Sequence, residues 1–320
     1  MQEYAFKNLV FEGGGVKGIA YVGALHILEE KGILQTVERV AGTSAGAIIA
    51  ALLAVGFTPL EIRKKLEEVN FNNFKDDSFF IIQNIVRLFR KYGWYKGSAF
   101  RKWFGKVLSE KVSKDITFSQ LHEKIGKEGM RQLYIVGTDV NHKAHVILSN
   151  ETTPNMLIAD AVQISMSIPL FFQAFNHKNS LYVDGGLYYN YPINLFDDEK
   201  YVKTKKENYY NKETLGFRVD SPEEINNQIK NEPLPSLKVN SFQSYIQTLI
   251  GGLIDFANKT HLSDRDWHRT IYIDSLGISA TQFELKSGQK EDLIESGRAG
   301  ALSYFSWFDK SKGASKPLNK

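Results

Sequence analysis

Residues 38–55 read ERVAGTSAGAIIAALLAV, and most of the fold follows from how this stretch is parsed. Glu38 to Ala41 is a short strand candidate, Gly42-Thr43-Ser44-Ala45-Gly46 is a turn, and Ala45 to Val55 is a helix apolar on every side. A helix with no polar face must be buried all round. The run Val40 to Phe57 is uncharged, but Gly42, Thr43, Ser44 and Gly46 interrupt its first third. A membrane-spanning helix needs about 20 predominantly apolar residues, so strand end, turn and buried helix is the better parse.

Working outward, Asn8 to Phe11 forms a preceding strand, and Val16, Ile19, Val22, Leu25 and Leu28 mark a helical stripe closed by Lys31-Gly32. Strand, helix, strand, helix in this order predicts a parallel sheet covered by helices. Thr58-Pro59-Leu60-Glu61 is a capping box with proline at the first helical position, and Thr117 to Gln120 repeats it. Leu133 to Val140 and His145 to Leu148 read as paired strands, Pro154 to Ile168 as a helix, and Leu181 to Asp184 as a strand running into Gly185-Gly186. Asp197 to Glu213 reads as an exposed loop. Thr214 to Val219 and Thr270 to Asp274 read as strands, Ser241 to Lys259 and Glu291 to Phe308 as helices. The fold class expected is α/β, a three-layer sandwich whose parallel-rich sheet lies between helices. One domain over 1–320 is expected, with a motif core of about 8–195 completed by 214–310.

The 320 residues include no cysteine, which excludes disulfides, a thiolate nucleophile and zinc–cysteine or iron–sulfur sites. Forty Lys and Arg against 36 Asp and Glu give +4, an excess read as small and spread along the chain. It leaves no nucleic-acid footprint but permits weak attraction to an anionic membrane surface. Met1 to Val10 lacks the apolar core of a signal peptide. A cytoplasmic protein, or one peripheral at a membrane, is the expectation.

Gly42 to Gly46 is also the G-x-S-x-G pattern of a nucleophile elbow. Ser44 would sit on a sharp strand-to-helix turn with the helix N-terminus beside it, where backbone N–H groups favour developing negative charge. Glu12-Gly13-Gly14-Gly15-Val16-Lys17-Gly18 ends the first strand and opens the first helix. Gly13, Gly15 and Gly18 fit a dinucleotide fingerprint, but the second strand runs into the serine turn instead of ending on the acidic residue that motif needs. Lys17 followed by Gly18 forms no P-loop. A glycine-rich nest of N–H donors beside a serine suits an oxyanion hole for acyl transfer.

The serine needs a base. None of the seven histidines sits in a glycine-supported turn, and His268, before a predicted strand, is the best of them. Asp184 is the stronger candidate, at a strand end before Gly185-Gly186 with Asn190 and Pro192 beyond. A free Asp titrates near 3.9, so the site must raise its proton affinity for it to take the serine proton in concert with attack.

Four blocks in order, Gly13 to Gly18, Gly42 to Gly46, Ala161 to Pro169, and Asp184-Gly185-Gly186, resemble the motifs of patatin-like phospholipases. That family comprises lipid acyl hydrolases with a Ser–Asp dyad. The resemblance covers about Asn8 to Leu195, and Leu215 to Ser221 and Arg269 to Gly277 resemble bacterial members less distinctively. It implies Ser44 as nucleophile, Asp184 as base, and Gly13, Gly14 and Gly15 as oxyanion donors. Lys17, Gly42, Gly46, Gly185 and Gly186 would support them, with no metal or cofactor. A single βα unit before Ser44 agrees, since an α/β-hydrolase has more strands before its elbow. The implied substrate is a phospholipid or lysophospholipid, met by transient contact with a membrane surface. Three alternatives stay open: a Ser-His-Asp esterase on the α/β-hydrolase plan using His268 or another histidine, a transacylase with the same dyad, and a catalytically silent lipid-binding protein.

Phe71 to Phe104 is both aromatic and basic. It reads either as a helical cap packed on the sheet or as an interfacial lid, with Phe79, Ile82, Ile85, Val86 and Phe89 on one helix face. Tyr245, Leu249, Leu253, Ile254 and Phe256 form a candidate acyl-chain wall.

Overall fold

The computed structural model describes residues 4–69, 71–74, 76, 81–127, 129–201, 210–224, 239–240, 242–261, 266–280, 282 and 285–311. Strand β1 (Asn8–Phe11) passes through a 3₁₀ turn (Gly15–Ile19) into α1 (Ala20–Glu30), and β2 (Arg39–Thr43) leads into α2 (Ala45–Ala54). Next come α3 (Pro59–Glu68), α4 (Ile81–Lys91), β3 (Gly93–Tyr95), α5 (Ser98–Leu108) and α6 (Phe118–His122). The central part holds β4 (Gln132–Asp139), β5 (Ala144–Ser149), α7 (Ile158–Ser165), β6 (Leu170–Phe172), β7 (Phe175–His177), β8 (Ser180–Asp184) and α8 (Gly186–Tyr189). The last third supplies β9 (Thr214–Asp220), α9 (Phe242–His261), β10 (Thr270–Asp274) and α10 (Ser287–Ser311).

The main sheet runs β10-β9-β1-β2-β4-β8-β7, with β5 on the other edge of β4 and β3-β6 forming a separate parallel pair. The first five strands are parallel; β5 and β8 are antiparallel to β4. Period-two alternation sends side chains to both faces. Leu9, Phe11, Val40, Leu133 and Ile135 join the large core under α1, α2, α7 and α10, while Val10, Ala41 and Tyr134 face a second cluster with Tyr191, Ile193 and Phe196. The fold is a three-layer α/β sandwich. All ten residues of α2 are buried, as its sequence demands, and both capping boxes form.

Three expectations needed correction. The helix over 154–168 is confined to Ile158–Ser165, because Leu157 is extended and bridges Thr117 and Pro169 disfavours helical backbone at Ile168. The final helix is longer than its apolar stripe, Ser287–Ser311. The charged segment after Asp197 is not simply an exposed loop: Phe196 and Asn211 are buried, and Asp197 pairs with Arg269. Residues 202–209 lie outside the described ones.

Candidate active site

Strand β4 brings the site together. Its residues up to Val136 pair with parallel β2, ending at Thr43↔Val136. On the same edge its next residues pair with antiparallel β8, beginning at Gly137↔Asp184. Two strands therefore approach one point from opposite directions and end there. The residue after Thr43 is Ser44, and the last residue of β8 is Asp184.

Ser44 adopts φ 53° and ψ −123° and caps α2 without a side-chain capping bond. For a residue with a Cβ this is costly backbone, of the kind that persists where surroundings over-determine it. Those surroundings are tight. A Cβ on Gly42 would fall 2.2 Å from Gly46 O, and one on Gly46 would fall 2.4 Å from Phe11 O. Only a glycine pair lets strand and helix cross this closely. The Ser44 N–H donates to Ser165 Oγ at 2.8 Å, and Ser165 Oγ donates to Val136 O at 2.6 Å. The elbow is thus braced from α7. The Ser44 hydroxyl lies 3.7 Å from Met166 Sδ.

Asp184 is buried, and burial pushes its carboxyl up to about 7, against the opposing influence of the Gly186 N–H and the Ser44 hydroxyl. The Gly186 N–H donates to Asp184 Oδ1 at 2.8 Å, and Gly185 packs on the Val136 backbone. A carboxylate in this range accepts a proton far more readily than a free Asp. His268 lies elsewhere. It precedes the N-terminal end of β10, whereas Ser44 follows the C-terminal end of the parallel β2, and it stacks on Trp307.

The glycine segment passes directly beside Ser44, since a Cβ on Gly13 would sit 3.2 Å from Ser44 Cβ. Its three N–H groups differ. Gly13 N–H is already given to Asn190 O at 3.1 Å, so it is not poised for a ligand as expected. Among the described residues, the N–H groups of Gly14 and Gly15 have no acceptor. Gly15 has φ +55°, and the following Val16 N–H is held by Ala280 O. Lys17 Nζ donates to Val219 O at 2.7 Å, fixing the loop to β9.

Three residues to which the sequence assigned no role, Asn190, Glu12 and Arg218, hold this loop. Asn190 Nδ2 donates to Gly13 O at 3.2 Å and to Glu12 Oε1 at 3.3 Å. The fully buried Arg218 pairs with Glu12 at 3.1 Å and with Asp220 at 2.7 Å. Burial pushes Glu12 up to about 7, against the pull of Arg218. Asn190 was visible as a neighbour of Asp184; Glu12 and Arg218, 206 residues apart, gave no joint signal.

A narrow cleft, open to solvent, leads to Ser44. Gly15 and Val16 flank the serine, and Phe74, Phe100, Met166, Ile168 and Phe172 supply apolar walls. The expected acyl-chain wall on α9 does not line it. Tyr245, Leu249, Leu253 and Phe256 are exposed, and Ile254 alone of that set reaches towards Gly186. In the aromatic-basic segment Phe74, Phe100 and Phe104 are packed cap, while Val86 and Phe89 are exposed. Phe79 lies outside the described residues, as do the side chains of Ile82 and Ile85. Among the described residues no cluster of His, Asp and Glu could hold a metal ion, and no helix is long and apolar enough to cross a membrane.

Protein R571 of Acanthamoeba polyphaga mimivirus is 31% identical over 300 residues, 93% of each chain. The probable lipid hydrolase 463L of invertebrate iridescent virus 6 is 31% identical over 207 residues, 63% of this chain and 67% of its own. The fold matches that of VipD from Legionella pneumophila with a TM-score of 0.60 at 18% identity, over 94% of this chain and 67% of that one. The family profile of patatin-like phospholipases matches residues 9–197, the span that contains the glycine loop, the elbow and Asp184. The chain belongs to the patatin-like phospholipase family.

Proposed function

We propose that this protein hydrolyses carboxylic esters of lipids, phospholipid or lysophospholipid acyl chains, through an acyl-enzyme on Ser44 with Asp184 as the base. The observation that carries the reading is the head-to-head ending of β2 and β8 on β4. It sets a strained, buried serine beside a carboxyl raised to about 7, with an apolar cleft leading in.

In this mechanism Ser44 Oγ attacks the ester carbonyl as Asp184 takes the hydroxyl proton. The oxyanion lies against the N–H groups of Gly14 and Gly15, donors that need no reorganisation as charge develops. Asp184 returns the proton to the departing alcohol and leaves the acyl group on Ser44. Water then attacks that ester, again losing its proton to Asp184, which passes it to Ser44 as the fatty acid leaves. No metal or cofactor enters. The apolar walls would hold the acyl chain.

The test is a panel of defined phospholipids and lysophospholipids, with mass analysis of released fatty acids and fluorophosphonate labelling of Ser44. Wild type is expected to release acid and take the label, and Ser44→Ala to do neither. Asp184→Asn is expected to lose roughly 10²–10⁴-fold in kcat, the contribution of a positioned general base. An active Asp184→Asn enzyme together with a dead His268→Ala one would overturn the dyad. Acyl transfer to an added alcohol in preference to water would reassign the protein as a transacylase.

A further inference from the structure

The positive charge of the chain is not spread. Residues 78–109 hold seven Lys and Arg and no Asp or Glu, so with +4 overall everything else is net −3. Two of these cations serve the fold: Arg87 is buried and donates to Trp94 O, and Arg101 pairs with Asp160. Arg90, Lys91 and Lys96 are exposed.

The same place exposes apolar surface. Phe89 is 77% exposed, Tyr92 53% and Leu170 41%. Tyr92 directly precedes Gly93, which pairs with Leu170 across β3 and β6, so the two side chains belong to one rim. Leu170 lies between Ile168 and Phe172, both lining the cleft to Ser44. Both Tyr92 and Leu170 adopt positive φ, 62° and 66°, a costly backbone for residues with a side chain.

The geometry points to this rim as the docking surface for an anionic phospholipid bilayer: Phe89, Tyr92 and Leu170 enter the headgroup–acyl boundary while Arg90, Lys91 and Lys96 meet lipid phosphates. The assignment deepens the proposed hydrolase reading, on which it rests. Aromatic and aliphatic side chains beside exposed cations suit a surface that is anionic outside and apolar within. A polyanion such as nucleic acid would use the cations and leave the apolar rim in water. A second copy of the chain seated face to face would bring Arg90, Lys91 and Lys96 against the same three cations. A bilayer seated here would place its lipids at the mouth of the cleft.

The experiment is vesicle co-sedimentation with full-length Ser44→Ala protein, which needs no catalysis. Vesicles are phosphatidylcholine alone, or phosphatidylcholine with phosphatidylglycerol. Binding is expected to the anionic vesicles and to weaken with salt. Each cation near an anionic surface is worth roughly fivefold in affinity, so Arg90→Gln/Lys91→Gln/Lys96→Gln should lose on the order of 100-fold. Phe89→Ser/Tyr92→Ser should also release the protein. In the catalytically intact background both sets should keep wild-type turnover of a water-soluble short-chain ester. Equal binding to neutral vesicles, or undiminished binding by the triple variant, overturns the proposal. So does loss of a dimer instead of vesicle binding in Phe89→Ser/Tyr92→Ser. If the bilayer is bound as described but the intact enzyme releases no acid, the hydrolase reading fails and the docking surface stands.

Discussion

Ser44 is held in backbone that disfavours a side chain, so its identity and the stability of the fold pull against each other. Ser44→Gly should stabilise the protein by about 1 kcal/mol in a denaturant titration while abolishing ester turnover. Asp184 makes a second prediction. Its carboxyl must be ionised to accept a proton, so kcat/KM should rise with pH along an acid limb centred near 7. The sign for stability is opposite. The folded state holds this proton between the ordinary Asp range and about 7, the unfolded chain does not, and so stability contributed by Asp184 falls as pH rises through that window. Asp184→Asn should flatten this part of the stability profile. Asn190→Ala is expected to strip a donor from Gly13 O and Glu12 Oε1, costing about 1–3 kcal/mol. Its kcat should fall with little change in KM, as expected if it positions the oxyanion loop.

At the scale of elements, the crossing of α2 over β1 and β2 tolerates no added atom. Gly46→Ala would press a methyl onto the Phe11 carbonyl, and a loss of about 1–3 kcal/mol or more in thermal unfolding is the expected result. Local chemistry made these elements legible. The strands Asn8–Phe11 and Thr270–Asp274 and both capping boxes stand where the sequence places them. The elbow was readable because glycine spacing and a wholly apolar helix constrain each other. What sequence could not carry was β4 serving β2 and β8 on one edge, since that depends on pairing between segments about 90 and 50 residues apart. Ser165 was hidden for the same reason. It lay inside a recognised block, but its bond to the Ser44 N–H needs the packing of α7 on β4. The aromatic segment divided into buried and exposed halves, a split that composition does not express.

At the scale of the whole molecule, the strand beside β1 comes from the far end of the chain. β9 pairs with β1 through Asn8↔Thr214 to Phe11↔Phe217, Arg218 is the counter-charge of Glu12, and Val219 holds Lys17. We propose that 1–320 folds as one cooperative unit. Truncation after Leu195 should leave protein without a sharp thermal transition by circular dichroism, because one edge of β1 and the buried Glu12 would lose their partners. Arg218→Met should cost about 3–5 kcal/mol through the uncompensated Glu12 and Asp220. This wiring also has a meaning in time. On a ribosome adding about 5–20 residues per second, Ser44, Asp184 and Asn190 all emerge before β9, so until β9 arrives the glycine loop keeps its Asn190 contacts but lacks the Arg218 counter-charge and the Val219 anchor of Lys17. A chain of this design would complete its candidate site only once β9 had been made.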